Sequence, residues 1–548
     1  MSIKRGLPYF LLGLVGFLLF VPFLNGAHLF DWDEVNFAEA AREMLFTGEF
    51  TYVQINFKPF WEKPPLFIWL QALSMSVFEV TEFAARLPNA ICGILTILVL
   101  FQIGKKLVSR NFGLLWVLVY LGSMLPQFYF RSGIIDPWFN LFIFSGVHQL
   151  VLATRTPIIS RNNLAFSALL IGLAVMTKGP TAGGLIGICA GIYFITSFNK
   201  HNWKLLDAFL YGTTIFVVGF SWFLLEIARG HGYVVQEFVD YHIRLFSQSE
   251  AGHGQPFYYH PLVLLLGCFP MSLFLIFSWA RKVDSPTEVA HYKKWMTILF
   301  WVVLIIFSIV KTKIVHYSSL TYFPMSFLAT WFIYRSIKSE SPIKVWQQLL
   351  TLTFVLVLGV AFLLLGNLES IKEPLLELLN NDKLAHGNFS QNIPDGPFDW
   401  SIGVLFLIAG TYSVFLINRQ KTKQGIIGLF STSLITVMLL SALIAPKIDN
   451  YLQADLFAFY QEKSETHYIQ PLGMHSYVHL FYGKRTPISE NPEDEAKWML
   501  FEKIDKPVYF ISRAQDLESN LNYFPHLKEI DRKGGYVVLV RTDDNYPF

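Results

Sequence analysis

Charge is what this 548-residue chain most lacks. Asp, Glu, Lys and Arg together make up 15% of it, against roughly 25% in ordinary soluble domains. That excludes a soluble globular protein as the whole answer. The net charge of +3 is small, and the basic residues sit in scattered short connectors, so nothing points to nucleic acid. Only three cysteines occur, Cys92, Cys189 and Cys268. Each lies in an apolar run, where cysteine behaves as a small hydrophobe, so neither a disulfide framework nor a thiolate metal site is indicated. In the stretch holding His242, His253 and His260 no HxH or HxxxH pair occurs, so spacing there gives only a weak metal signal. Internal repeats and low-complexity tracts are absent as well.

Apolar surface is what the chain has. Hydrophobic residues reach 53%, with 52 Phe and 14 Trp, a composition suited to lipid-facing and interfacial positions. A membrane-crossing helix needs about 20 largely apolar residues. Runs of that kind fall near 7–26, 87–104, 112–130, 137–154, 163–177, 180–198, 208–226, 261–280, 295–310, 317–334, 345–367, 400–417 and 424–446, about thirteen in all. The run 66–80 is short. If it crossed, Lys105, Lys106, Arg110 and every later basic loop would change sides. Read as an interfacial helix, it leaves all the short basic loops in the cytoplasm, as the positive-inside bias requires. The sequence therefore predicts a polytopic α-helical membrane protein with its N-terminus inside. Membrane lipids surround it.

From Lys447 the composition changes. Strand-like runs near 506–512 and 535–542 flank a helical segment, AQDLESNLNYF. This predicts two units: a membrane unit, 1–446, whose first outer loop is 27–86, and a small α/β domain, 447–548, on the outer, non-cytoplasmic face.

The same topology gathers the conspicuous polar residues on the outer face. Asp31, Asp33 and Glu34 cluster just after the first span. Asp33 is placed to cap a helix running to about Phe46, with Phe37, Ala41, Met44 and Leu45 on one face and Gly48 as its stop. An acid held there can also deprotonate a hydroxyl or bind a cation. Glu62-Lys63 precedes two prolines, which fix the backbone and start the next helix. Arg131 and Asp136 bracket a very short connector, RSGIIDPW, and Asp136 can either cap the following span or join a site. Lys178 is a lone cation between two outer span ends, for which an anionic phosphate is the natural partner. The stretch around Asp240, His242, Arg244, His253 and His260 is rich in histidine and aromatics. Lys311, Lys313, His316 and Tyr317 form another basic outer cluster. Acids in the first loop and bases in the others suit a reaction in which a hydroxyl loses a proton while a phosphate departs.

These stretches, DWDEVNFAEAAREML, WEKPPLFIWLQAL and EFAARLPNAICGILT, then RSGIIDPW, MTKGP, GHGQPFYY and KTKIVHY, resemble in order the polyprenyl-phosphate-dependent glycosyltransferases of the GT-C superfamily. They are most similar to the bacterial lipid A aminoarabinose transferases and, more distantly, to protein O-mannosyltransferases. The resemblance covers about residues 1–330 and implies a GT-C fold. It also implies a sugar donor linked to a polyprenyl phosphate and a lipid, protein or glycan acceptor, with transfer at the periplasmic face of the bacterial inner membrane. By matching position, Asp33 becomes the catalytic base and Asp136 the second catalytic carboxylate. Lys63 and Lys178, with Arg131, become donor-phosphate contacts. Asp31, Glu34, Lys313 and His316 become acceptor-side or accessory groups. Glu62 and His253 match positions that hold a divalent metal, zinc, in the lipid A enzymes. A lipid-sugar flippase without transferase activity is the competing class. It should show midplane charges and inverted repeats, and the sequence has neither.

Overall fold

The computed structural model describes residues 3–197, 204–247, 254–280, 285–488 and 494–542. Among these, five helices are long and apolar enough to cross a membrane: Glu82–Leu107, Thr287–Ile309, Val345–Leu365, Ser401–Asn418 and a continuous run Thr422–Lys463. Three bent pairs raise the number to eight if each is one span: Arg110–Leu121 with Met124–Arg131, Leu205–Gly219 with Ser221–Ala228, and Tyr259–Gly267 with Met271–Trp279. The chain is a multi-pass helical membrane protein. The count of thirteen is finer than this, because several apolar runs form short or broken helices. Leu66–Phe78 has 13 residues, about 20 Å of helix, well short of a roughly 30 Å hydrocarbon layer.

Two antiparallel helices set the key geometry. Asp136–Ala153 begins with Asp136, and Arg161–Lys178 ends with Lys178. A short connector joins them at the far end, so their polar tips meet. Close approach depends on Gly146, where an added Cβ would lie 2.6 Å from the Ile171 side chain. The bundle interior is built from aromatics such as Trp116, Tyr292, Trp295 and Phe323, with all three cysteines buried and unpaired.

The helix predicted to stop at residue 446 continues to Lys463. Two π-helical stretches, Leu440–Ile444 and Asn450–Ala454, flank Pro446 and absorb it without a break. Lys447, expected at the start of a new unit, is buried and paired with Asp395 and with Asp399 at 3.2 Å.

Beyond this helix lies a four-stranded sheet in the order Tyr468–Pro471, Val508–Arg513, Tyr536–Arg541, Leu527–Lys533. The first pair is parallel and the others are antiparallel. The two strands read from sequence are the central, apolar ones. The two unread strands are the edges, one only four residues long and one mostly polar and exposed.

Part of the loop 27–86 packs beneath this unit. Helix Asp33–Thr47 follows, closed by Gly48 in the left-handed region at φ 74°. It was expected to present one apolar face. Instead Glu34 to Met44 are all buried, because a second hydrophobic cluster joins Val35 and Phe37 to Phe457, Tyr482, Ile511 and Val538.

Candidate active site

Asp33 does not cap its helix. Trp32 occupies the cap position, and no side chain closes it. The Asp33 carboxylate turns toward the 3-10 segment Val315–Thr321, where His316 Nε2 lies 3.0 Å from its Oδ2. The same nitrogen is 3.7 Å from Asp136 Oδ2. Lys178 Nζ donates to Asp136 Oδ1 at 2.7 Å. Four residues remote in sequence thus form one chain: Asp33, His316, Asp136, Lys178. Burial alone would raise the Asp33 carboxyl. The hydrogen bond and charge of His316, then Lys63 and Lys178, outweigh burial and hold the carboxyl down to about 2. Asp33 is therefore anionic at any physiological pH.

Lys63, held by the turn before Pro64 and Pro65, donates to the Tyr241 hydroxyl at 3.2 Å and sits over that ring. Glu62 is 4.0 Å away. Burial, helped by Lys178, outweighs the pull of Glu62 and Asp33 and keeps Lys63 below the ordinary lysine value. Lys178 lies over the Tyr317 ring, 4.7 Å from its centroid.

Asp33, Glu62, Lys63, Lys178, Tyr241 and Tyr317 line a polar chamber of about 860 Å³ that also holds Asp31, Trp32, Arg244, His475 and Arg513. A second cavity of about 310 Å³ adjoins it, with apolar walls that include Phe139, Leu185, Ile188, Ile306 and Phe307. Lys63, Lys178 and Tyr317 line both. The two ammonium groups therefore stand where a polar space meets a greasy one. Each lysine has three donors, more than its protein partners use.

Three sequence candidates point elsewhere. Glu34 is buried against Arg86 with two hydrogen bonds of 2.9 Å, and it also accepts from the backbone N–H groups of Phe30 and Gly133. Arg131 donates to the Leu19 carbonyl, and Lys313 donates to the Val310 carbonyl at 2.6 Å. None of the three lines the chamber. Glu34 and Arg131 border a smaller, mostly apolar cavity of about 270 Å³ on the other side of His316. Asp31 does line the chamber, and its Oδ1 accepts from the Trp32 N–H at 2.7 Å.

The metal expectation rested on Glu62 and His253. Glu62 borders the chamber, while His253 lies outside the described residues. Among the described residues no three His, Cys, Asp or Glu side chains converge.

Sequence reasoning missed Tyr241, and Trp32, His475 and Arg513 with it. Tyr241 lies on the helix Tyr233–Ser247 within a stretch read only for its histidines and charges. His475 and Arg513 come from the C-terminal unit, and no local motif marks them.

The sequence was compared with known proteins. Residues 62–224 match the model of the family described as dolichyl-phosphate-mannose-protein mannosyltransferase. An uncharacterized protein of Aquifex aeolicus is 31% identical over 326 residues, which is 59% of this chain and 73% of that protein. In fold, the chain is similar to the crystal structure of ArnT from Cupriavidus metallidurans bound to undecaprenyl phosphate. That likeness has a TM-score of 0.73 at 16% identity and covers 100% of this chain and 99% of the other. The chain thus shares the fold of ArnT and, over residues 62–224, matches the mannosyltransferase family model. The undecaprenyl phosphate-alpha-4-amino-4-deoxy-L-arabinose arabinosyl transferase of Pectobacterium carotovorum is 27% identical to this chain over 57% of each. The match thus spans little more than half of that curated relative. The apo form of the Cupriavidus ArnT gives a TM-score of 0.75 at 17% identity, covering 98% of both chains.

Proposed function

We propose that this protein transfers a sugar from a polyprenyl-phosphate donor to a hydroxyl or phosphate group of a lipid, protein or glycan acceptor. The observation that carries this reading is the placement of Lys63 and Lys178 at the junction of the polar chamber and the apolar cavity. A lipid phosphate needs that combination: an apolar wall for the prenyl tail and cations for the head. Asp33 then acts as the base. It takes the proton from the acceptor as the acceptor oxygen bonds to the anomeric carbon. The bond from that carbon to the phosphate oxygen breaks, and its electron pair leaves with the lipid phosphate. Lys63 and Lys178 stabilise the departing anion. Asp136 holds Lys178 in place from one oxygen and faces His316 with the other. Direct displacement inverts the anomeric centre. The names of the relatives support undecaprenyl phosphate as the lipid and a pentose or hexose as the sugar, and they favour a transferase over a flippase.

The reading extends to the membrane. It comprises about thirteen crossings counted by apolar runs, an inner-membrane location, and a chamber facing the periplasm. Residues 1–446 form the membrane unit and 447–548 the periplasmic unit, joined through the long helix. The test is reconstitution of the purified protein with radiolabelled undecaprenyl-phosphate sugar and an envelope extract of the source bacterium. Acceptor labelling that requires Lys63 and Lys178 supports the reading. Transbilayer movement of the donor without any labelling rejects it in favour of a flippase.

A further inference from the structure

Trp32 is the residue on which this inference turns. It immediately precedes Asp33 and adopts φ 82°, ψ −118°, a conformation disfavoured for a bulky side chain. Such strain persists only where surrounding contacts over-determine it, and it concentrates at functional sites. The contacts here come from the other end of the chain. The loop after strand Tyr468–Pro471 turns at Gly473, φ 70°, and brings His475 edge-on to the Trp32 indole with ring centroids 5.4 Å apart. His475 is itself backed by Tyr477 at 4.7 Å. The residues leading into Trp32 are held by the same unit and the helix beneath it. His28 Nδ1 meets Asp449 Oδ2 at 2.7 Å, the Leu29 N–H donates to the Tyr482 hydroxyl at 2.7 Å, and Gln453 donates to the Leu29 carbonyl at 3.2 Å. Asp33 itself touches nothing in that unit among its ion pairs. Its aim depends on the turn that the unit clamps.

We infer that the C-terminal unit is a positioning element of the active site: His475, through the strained Trp32 turn, sets the direction of the Asp33 carboxylate. This rests on Asp33 being the base. It assigns the unit a role in the chemical step, distinct from donor binding, which stays with Lys63 and Lys178 in the membrane unit. It also makes His475 act as a ring and not as a titrating group.

The full-length protein in detergent is tested with His475→Ala and His475→Phe, using a donor concentration series and binding of undecaprenyl phosphate itself. His475→Ala should lower kcat roughly ten- to a hundredfold, the scale set by small misplacements of reacting groups. Undecaprenyl phosphate binding should stay within about twofold, since the alanine removes no phosphate contact. His475→Phe, which keeps the edge contact, should restore kcat to near the wild-type value with an unchanged pH profile. The inference is overturned if His475→Ala retains kcat, if both variants lose undecaprenyl phosphate binding, or if His475→Phe is as impaired as the alanine. Asp33→Asn separates the two levels. Wild-type turnover in that variant overturns the base assignment itself. A dead Asp33→Asn beside an unimpaired His475→Ala overturns only the positioning role.

Discussion

Two ion-pair clusters rooted at adjacent residues, Asp33 and Glu34, differ in what surrounds them. At Glu34 both carboxylate oxygens meet Arg86, and two backbone N–H groups complete the set. Arg86 in turn donates to the carbonyls of Leu24, Ala27 and His28. Every polar atom has a protein partner, so the cluster clamps the end of the first span to helix Glu82–Leu107 and has no capacity left for a ligand. At Asp33 the nearest partners are the His316 ring and two lysines, and the lysines border open cavities. There the charges balance one another across a space. Burial with full satisfaction makes structure, whereas charges held around a cavity make a site.

That contrast can be broken by substitution. The largest effect on activity is expected from Asp33→Asn. Loss of a positioned base costs roughly 10²- to 10⁴-fold in turnover, while the isosteric Asn keeps the fold and lowers the melting temperature only by the share its lost ion pairs supplied. Glu34→Ala should do the reverse. It strands a buried guanidinium, a loss of about 3–5 kcal/mol, read as reduced folded yield and a lowered Tm. If Glu34→Ala folds normally and only turnover suffers, the division between clamp and site fails.

A smaller effect belongs to the lysines. Lys178→Gln removes a charged hydrogen-bond donor to phosphate worth about 1.5–3 kcal/mol, so undecaprenyl phosphate binding should weaken roughly ten- to a hundredfold. Unchanged binding would remove Lys178 from the phosphate site. Lys313→Gln, whose lysine serves a backbone carbonyl, should leave turnover near wild type.

The smallest effects are in pH. The Asp33 carboxyl is held below its ordinary value of 3.8, at about 2. The stability its ion pairs supply is therefore present above the ordinary value and lost as pH falls toward 2. The Tm difference between wild type and Asp33→Asn should accordingly shrink as pH is lowered through that interval. Lys63 is held below the ordinary lysine value, so it loses its proton earlier as pH rises. Donor affinity should fall on the alkaline side, and Lys63→Arg should move that limb upward. An alkaline limb that ignores this substitution would assign it to another group.

Much of the architecture was legible because it follows from local composition. Apolar runs announced the helices, and β-branched, aromatic runs announced strands Val508–Arg513 and Tyr536–Arg541. The edge strand Leu527–Lys533 was not legible, since its polar side chains face solvent and its pairing supplies the order. Lys178 drew attention as a cation where topology disfavours one, and Lys63 through the resemblance; both face the chamber. Glu34 and Arg131, read as site groups beside them, turn to partners away from the chamber. What distinguishes them is a partner 52 residues away in one case and a backbone carbonyl 112 residues away in the other.

The sequence by itself determined the solvent this chain folds in and the kinds of polar group its connectors carry, because hydropathy and charge are properties of short segments. Only the tertiary structure decided which acid faces a cavity, that His316 joins Asp33 to Asp136, and that a loop from residue 475 grips the turn at residue 32. Those are contacts between segments hundreds of residues apart. Their energies depend on distance and burial, which no local pattern encodes.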